Sequence, residues 1–413
     1  MRILVVGLNY APEPIGIAVY TAGLAERLAE CGHTVRVVSG KPYYPQWKLV
    51  DGYQGGWRTT TENNVTITRC PIYVPADPNG KKRLIHHASF ALSIAFPITA
   101  TALSFRPDLV LSIAPSLASA PIAWLAAKLA RARSWLHIQD FEVEAAFATG
   151  LLDSNSPIAR TASGFERRVI SLFDRVSSIS PEMCAKLVKM GIPADRIVEF
   201  RNWAGIAPVL QTSQASRYRT EWDIQTPHVA LYSGNIANKQ GIETVLEAAA
   251  LLRDRRDITF VICGEGPNLA KLRKDAGDAS NLQFRPLQSV ERLPDLLQLA
   301  TVHLLPQKAD AADLVLPSKL TNMLASGRPV VATATMGTGL AREIEDCGIA
   351  TEPGNAVAFA AAIEQLIDDH ALWERYAGNA RTRAKTRWDK LNTIASVMAS
   401  MEEVIRPTHR EAA

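Results

Sequence analysis

Residues 1–40 read MRILVVGLNYAPEPIGIAVYTAGLAERLAECGHTVRVVSG. The run Ile3–Val6 is short and β-rich and stops at Asn9 and Pro12. A secretory leader needs a longer apolar stretch and a small-residue cleavage site, so this run is expected to be a buried first strand. Residues 17–31 then place Val19, Leu24 and Leu28 at helical spacing, with Gly32 as the stop. Thr34–Val38 is a second β-rich run. Strand, helix and strand in 40 residues make a unit of a parallel sheet.

Working outward, the alternation continues. Leu109–Ile113, Trp135–Ile138 and Arg175–Ile179 read as further strands buried on both faces. The pattern breaks at residues 202–215, NWAGIAPVLQTSQA, which reads as a linker. It restarts with strands predicted at Val229–Ser233, Thr259–Cys263, Val302–Leu305 and Val330–Thr333, and helices at 241–254, 267–276, 317–326 and 355–369. The fold class is therefore α/β, with two doubly wound Rossmann-like domains of similar size. Such sheets bind ligands at the carboxyl ends of their strands.

The 413 residues are 47% hydrophobic and 21% charged, enough apolar material for two cores and too much for intrinsic disorder. Basic and acidic residues number 45 and 41, a balance that does not favour nucleic acid as a partner. Cys31, Cys70, Cys184, Cys263 and Cys347 form no C-x-x-C pair, so neither a zinc site nor a disulfide framework is expected. A reduced, cytoplasmic protein follows.

Residues 84–105, LIHHASFALSIAFPITATALSF, carry no formal charge with His86 and His87 neutral, and Lys81, Lys82 and Arg83 precede them. Pro97 and the scattered Ser, Thr and His residues argue against a spanning helix. Two readings stand: a packed helix feeding the next strand, or an interfacial helix with a basic edge, which would make the protein peripheral at the inner face of the cytoplasmic membrane. The tail, 371–405, reads as helical, with a run of Arg and Lys that suits a solvated face.

The chemistry-bearing residues cluster after strands. GLNYAPEPIG after the first strand is not G-x-G-x-x-G, so a dinucleotide fingerprint is absent where it belongs. Gly16 there opens a helix whose N-terminus favours an anion. HIQDFEVE places Asp140 just past a strand, positioned to accept a sugar hydroxyl or a proton. In the second half, SGNIANKQG supplies Gly234, Asn235, Lys239 and Gln240. CGEGP brackets Glu265 with Gly264 and Gly266, and PSKLTN brings Ser318, Lys319 and Asn322 into a helix. Three glycine- or lysine-bearing loops ahead of helices suit a diphosphate.

These motifs carry a resemblance. YSGNIANKQG, VICGEGP, FRPLQS and PSKLTNMLASGRPVVAT resemble the family 4 glycosyltransferases of GT-B fold. NYAPEPIGIAVYT, GKPYYPQW, RCPIYVP and HIQDFEVEA resemble the WcaI-type branch, named for colanic acid biosynthesis. The resemblance implies two lobes facing across a cleft: 1–205 on the acceptor side, 206–387 for the nucleotide sugar, and a helix in 388–413 packing back on the first. It implies retaining, metal-independent transfer from a nucleotide diphosphate sugar to a lipid-linked saccharide acceptor in exopolysaccharide biosynthesis, with no cofactor.

Asp140 and Lys319 then take the catalytic places. Gly16, Gly234, Asn235, Lys239, Gln240, Gly264, Glu265, Leu287, Ser318 and Asn322 take the donor-binding ones. The chain departs from the family at its paired glutamates, where Leu314 and Asn322 stand, and Asn235 and Gln240 lie in the loop that carries the family's Arg and Lys. Two competing readings are a GT-B nucleotide-sugar epimerase and a non-catalytic saccharide-binding protein.

Overall fold

The computed structural model describes residues 1–14, 16–143, 156–205, 216–308 and 317–406, without the side chains of Ile158 and Lys239. The chain forms two units, Met1–Arg201 joined by the end of the chain from Thr393, and Asn202–Asn392. The sequence-based divisions were expected after 205 and 387.

The first unit begins β1 (Arg2–Gly7), α1 (Ile17–Glu30), β2 (Thr34–Gly40), β3 (Arg58–Glu62), β4 (Val65–Cys70), α2 (Gly80–Phe105), β5 (Leu109–Ala114) and α3 (Ala120–Ala130). It continues with β6 (Arg133–Ile138), α4 (Pro157–Ser171), β7 (Arg175–Ser178), α5 (Pro181–Lys189) and β8 (Ile197–Glu199). The sheet order is β3-β4-β2-β1-β5-β6-β7-β8. Every pair is parallel except β3 with β4. Ile3 to Val6 and Leu109 to Leu111 are fully buried, as the apolar runs require of central strands covered on both faces.

The second unit contains α6 (Tyr218–Glu221), β9 (His228–Ser233), α7 (Glu243–Leu251), β10 (Ile258–Cys263), α8 (Leu269–Ala276), β11 (Leu282–Arg285), α9 (Leu293–Leu299) and β12 (Val302–Leu305). After these come α10 (Ser318–Ala325), β13 (Val330–Thr333), α11 (Gly339–Ile344), β14 (Gly348–Thr351), α12 (Ala356–Asp368) and α13 (His370–Arg387). The sheet is parallel throughout, in the order β11-β10-β9-β12-β13-β14. One core gathers Tyr232, Phe260, Ile262 and Leu304 with Phe359 and Ile363 of α12.

The structure adds three features to these expectations. The hairpin β3–β4 and the edge strands β8, β11 and β14 lacked the apolar run that marks a central strand. The tail is two helices, because Trp388 is buried and Asp389 then caps α14 (Lys390–Ile405) by accepting from the Asn392 N–H at 2.8 Å. Helix α2 starts at Gly80, ahead of the uncharged segment, because Asn79 caps it by accepting from the Lys82 N–H at 3.1 Å.

The inner row of α2, Phe90, Ile94, Ile98 and Ala102, packs on the core beside Leu4, Val6 and Val110. Pro97 is buried inside the helix. Among the described residues α2 is the one helix long and apolar enough to cross a membrane by length and composition, and 39% of its most apolar stretch is buried in the protein. The end of the chain joins the first unit through His33 Nε2 against Met398 Sδ at 3.2 Å and Arg175 against Glu403 at 3.8 Å.

Candidate functional site

Strand order locates the ligand edge of each sheet. In the second sheet β9 and β12 are neighbours although β10 and β11 follow β9 on its other side, so connections leave β9 and β12 in opposite directions. A crevice opens at the carboxyl ends of such a pair. The loop after β9 begins at Gly234, and the chain after β12 runs to α10, which carries Ser318 and Lys319. In the first sheet the same reversal lies between β1 and β5.

The loops after β9 and β10 interlock. Gly234 N–H donates to the Cys263 carbonyl at 2.9 Å, Ile236 N–H to the Glu265 carbonyl at 2.7 Å, and Gly264 N–H to the Arg285 carbonyl at 3.0 Å. Gly264 has φ +158°, and a Cβ there would fall 1.9 Å from the Gly234 carbonyl oxygen. At Gly266, φ +155°, a Cβ would fall 2.3 Å from the Ile236 oxygen. Only glycine fits either position.

Lys319 reaches this loop pair. Its Nζ donates to the Tyr232 hydroxyl at 3.0 Å and lies 4.3 Å from the Tyr232 ring centroid. Tyr232, the fifth residue of β9, donates its own hydroxyl to the Asn235 carbonyl at 2.6 Å. Burial pushes the Tyr232 hydroxyl above its ordinary pKa, so it stays a neutral donor. A Cβ on Gly234 would stand 3.0 Å from Lys319 Nζ. The ammonium therefore lies over bare backbone. Pro317 caps α10 with no side-chain hydrogen bond of its own, and the Leu320 N–H donates to the Pro317 carbonyl at 2.9 Å.

The remaining expected residues of this unit divide. Glu265 is exposed beside Gly264, and Leu287 is 58% exposed in the loop after β11, offering a flat apolar contact. Asn322 Oδ1 accepts from the Gly205 N–H at 2.7 Å, so half its amide is engaged by the chain entering the unit. Gln240 Oε1 is buried without a hydrogen-bond partner among the described residues, as is Gln307 Oε1. Gly241, Gln307 and Lys308 line a cavity of about 370 Å³ with Glu243, Glu247 and Gly354. The backbone of Lys239 lies in a short 3₁₀ turn, Asn238–Gln240, and its side chain is outside the description. Leu314 lies outside the described residues.

In the first unit Gly16, φ +70°, immediately precedes α1. Asp140 is exposed two residues past β6, between buried Gln139 and buried Phe141. β1 and β6 flank β5, so their ends are about 10 Å apart across the sheet. Two acids, Glu13 buried and Glu142 partly buried, shape the loops around them. Glu13 accepts from Asn9 Nδ2 at 2.9 Å and from the Tyr43 and Tyr44 N–H groups at 2.9 and 3.0 Å. Glu142 accepts from the N–H groups of Ser116 and Leu117, after β5. Burial raises the pKa of both, and the N–H donors oppose that.

Sequence reasoning missed Glu13, Tyr232, Gln307 and Lys308. Tyr232 reads as core on any hydropathy argument, and its partner lies 87 residues away. Of the two histidines in α2, His86 Nδ1 faces the Tyr73 carbonyl at 2.5 Å, and the described residues hold no group of three or more His, Cys, Asp or Glu side chains that would grip a metal ion.

Residues 16–203 match the Glycosyl transferase 4-like domain family, and residues 227–369 match the Glycosyl transferases group 1 family. The chain is 41% identical over 405 residues to the colanic acid biosynthesis glycosyl transferase WcaI of Escherichia coli (strain K12), covering 95% of this chain and 98% of that one. Among solved structures, the sucrose-phosphate synthase of Thermosynechococcus elongatus superposes with a TM-score of 0.74 at 16% identity, over 98% of both chains. HepE of Anabaena, solved with UDP, superposes with a TM-score of 0.71 at 15% identity, over 98% of this chain and 100% of that one.

Proposed function

This chain belongs to the GT-B glycosyltransferases that join a glycosyl transferase 4-like domain to a group 1 domain, and on that premise we propose that it moves a sugar from a nucleoside diphosphate sugar to a lipid-linked saccharide, with retention at the anomeric carbon, in building a colanic-acid-like exopolysaccharide. The observation that carries the donor side is Lys319, held by Tyr232 over the bare backbone of Gly234 at the switch point of the second sheet.

The chemistry follows from charge. Breaking the anomeric bond leaves negative charge on the diphosphate. Lys319 Nζ, the backbone N–H groups at the start of α10 and the Ser318 hydroxyl supply fixed positive dipoles and one full charge where that charge appears. Gly234 keeps a side chain out of the way of the phosphates, Gly264 and Gly266 let the two loops close on each other, Glu265 offers an acceptor and the Asn322 amide a donor to sugar and ribose hydroxyls, and Leu287 covers a base. In the reaction proposed, the leaving phosphate takes the acceptor proton on the face it departs from, so the configuration is retained. No carboxylate is needed as a covalent nucleophile. Asp140 orients hydroxyls and supports positive charge on the sugar ring. The reaction draws on no metal.

The relative from Escherichia coli supports the colanic-type pathway, and the UDP complex of HepE supports a nucleotide ligand on this fold. A thermal-shift panel of nucleoside diphosphates and their sugars identifies the donor, because a ligand bound only to the folded state raises the melting temperature. Incubation of that donor with a polyprenyl diphosphate saccharide, with and without EDTA, should give transfer in both, with the anomeric configuration kept by NMR. An epimerised donor in the absence of acceptor, or loss of activity in EDTA restored by a divalent cation, would overturn the corresponding part of the proposal.

A further inference from the structure

The outer face of α2 is unlike that of a water-facing helix. Ile85, Ala88, Leu92, Phe96, Ala100 and Leu103 recur at spacings of three and four, so they form one row. All are exposed, Phe96 by 81%, Leu92 by 77% and Leu103 by 53%. Surface helices place charge on this side, and a helix apolar all round is ordinarily buried. Here the inner row is in the core and the outer row, about 27 Å long, has nothing over it among the described residues of the first unit.

Neighbouring residues widen the patch. Trp57 is 59% exposed and donates its indole N–H to the Ser93 carbonyl of α2 at 3.0 Å, so its ring lies against the helix with its one donor satisfied. Helix α3 packs beside α2 and shows Leu125 and Leu129, each about half exposed. The charges around this patch are predominantly basic, with Asp77 against Lys82 at 3.9 Å and Asp174 against Lys128 at 3.6 Å. Residues 78–132 contain six basic side chains, Lys81, Lys82, Arg83, Arg106, Lys128 and Arg131, and one acid, Asp108. Asp108 is already held by Arg2.

We propose that this face, the outer row of α2 with Trp57 and the leucines of α3, seats the first unit on an anionic lipid bilayer, the helix lying in the plane of the headgroups. The apolar row supplies the burial, the cations at both ends of α2 and beside α3 meet lipid phosphates, and the indole suits the boundary between the two. A symmetric contact with a second copy fits less well, since an antiparallel α2 pair would bring Lys81–Arg83 against the partner's Arg106 end, where the cations outnumber Asp77 and Asp108. The proposal deepens the lipid-linked acceptor reading and stands on different residues.

The test is flotation of the full chain with vesicles of phosphatidylcholine alone and of phosphatidylcholine with phosphatidylglycerol, with neither donor nor acceptor present. Its outcome is thus separate from any result on transfer. The wild type is expected to float with the anionic vesicles and to be released by salt. The exposed double variant Leu92→Ser/Phe96→Ser should bind at least 10-fold more weakly while keeping the wild-type melting temperature and the same nucleotide shift. Lys81→Ser/Lys82→Ser/Arg83→Ser should lose the preference for phosphatidylglycerol. In the wild type, brominated lipids should quench tryptophan fluorescence, and Trp57→Phe should remove most of that quenching. No binding to anionic vesicles, or equal binding by the double variant, overturns the proposal. A wild-type dimer that Leu92→Ser/Phe96→Ser dissociates, without vesicle binding, replaces it with self-association.

Discussion

Replacing Lys319 with methionine separates charge from packing. Methionine keeps an unbranched apolar stem against the Tyr232 ring but removes the ammonium, which lies 3.0 Å from the Tyr232 hydroxyl and 4.3 Å from its ring centroid. The fold loses the ammonium's charged hydrogen bond and cation–π contact to Tyr232. Both are partly open to water, so the loss should be about 1–2 kcal/mol. Tyr232 keeps its bond to the Asn235 carbonyl, so the loop after β9 keeps its anchor. The reaction loses more. A fixed donor aimed at developing negative charge contributes about 3–4 kcal/mol to barrier lowering, a factor of 10² to 10³ in kcat. The assay is initial-rate release of nucleoside diphosphate at saturating donor, run beside a thermal melt. Lys319→Arg should fall between wild type and Lys319→Met, because it keeps the charge on a wider, planar head. A methionine variant that turns over within a few-fold of wild type refutes the role assigned to Lys319. One that barely folds would show the lysine to be a structural pin on Tyr232.

Three further outcomes are expected. Asp140→Ala should leave the protein folded, since the side chain is exposed, while transfer falls at least 10²-fold; equal rates would remove Asp140 from the site. Gly264→Ala should abolish the nucleotide-dependent thermal shift and lower the melting temperature far more than Gly277→Ala does. The first drives a methyl to 1.9 Å from the Gly234 oxygen, whereas Gly277, φ +53°, has open space and costs only the backbone preference, about 1 kcal/mol; equal losses would refute the interlocked-loop picture. Acid should destabilise the fold through four histidines: burial holds His86 and His87 down to about 4, and His137 and His303 down to about 3. Below pH 6.5 the unfolded chain takes up protons that the native one refuses, so stability falls from pH 6.5 to about 4 and, for the latter two, to about 3. At pH 5 each contributes up to about 2 kcal/mol of loss. Urea midpoints at pH 7.5 and 5 check this, and His303→Leu should flatten the slope.

Why some of this was legible in the amino-acid sequence and some was not comes down to range. Central strands such as Ile3–Val6 announce themselves because both faces are buried and every residue is apolar. The hairpin β3–β4 does not: Arg58–Glu62, RTTTE, is polar and largely exposed, and its real signal is the pair Asn63 and Asn64, at φ 48° and 62°, the backbone that a two-residue hairpin turn demands. The break between α13 and α14 was also written locally, in Asp389 three residues ahead of Asn392. The glycines at 234, 264 and 266 stood out because a loop approaching a ligand or another loop needs them. What pins those loops was hidden for a different reason.

Tyr232 and Glu13 act through partners distant in the chain, 87 residues in one case and about 30 in the other, and each looks ordinary beside its own neighbours. A tyrosine ending a buried strand is normally core, and it is core here, with its ring in the Phe260 cluster. Its hydroxyl alone crosses to the ligand edge. That division of one side chain, ring to the interior and oxygen to the loop, fixes where the Lys319 charge sits. Tyr232→Phe should therefore keep the ring packing and cost about 1–2 kcal/mol of stability, while removing the hydroxyl's bonds to Lys319 and to the Asn235 carbonyl. Donor affinity should drop roughly 10-fold, about one lost hydrogen bond's worth, by calorimetric titration. A phenylalanine variant that binds donor as tightly as the wild type would mean that α10, not Tyr232, sets the position of the lysine.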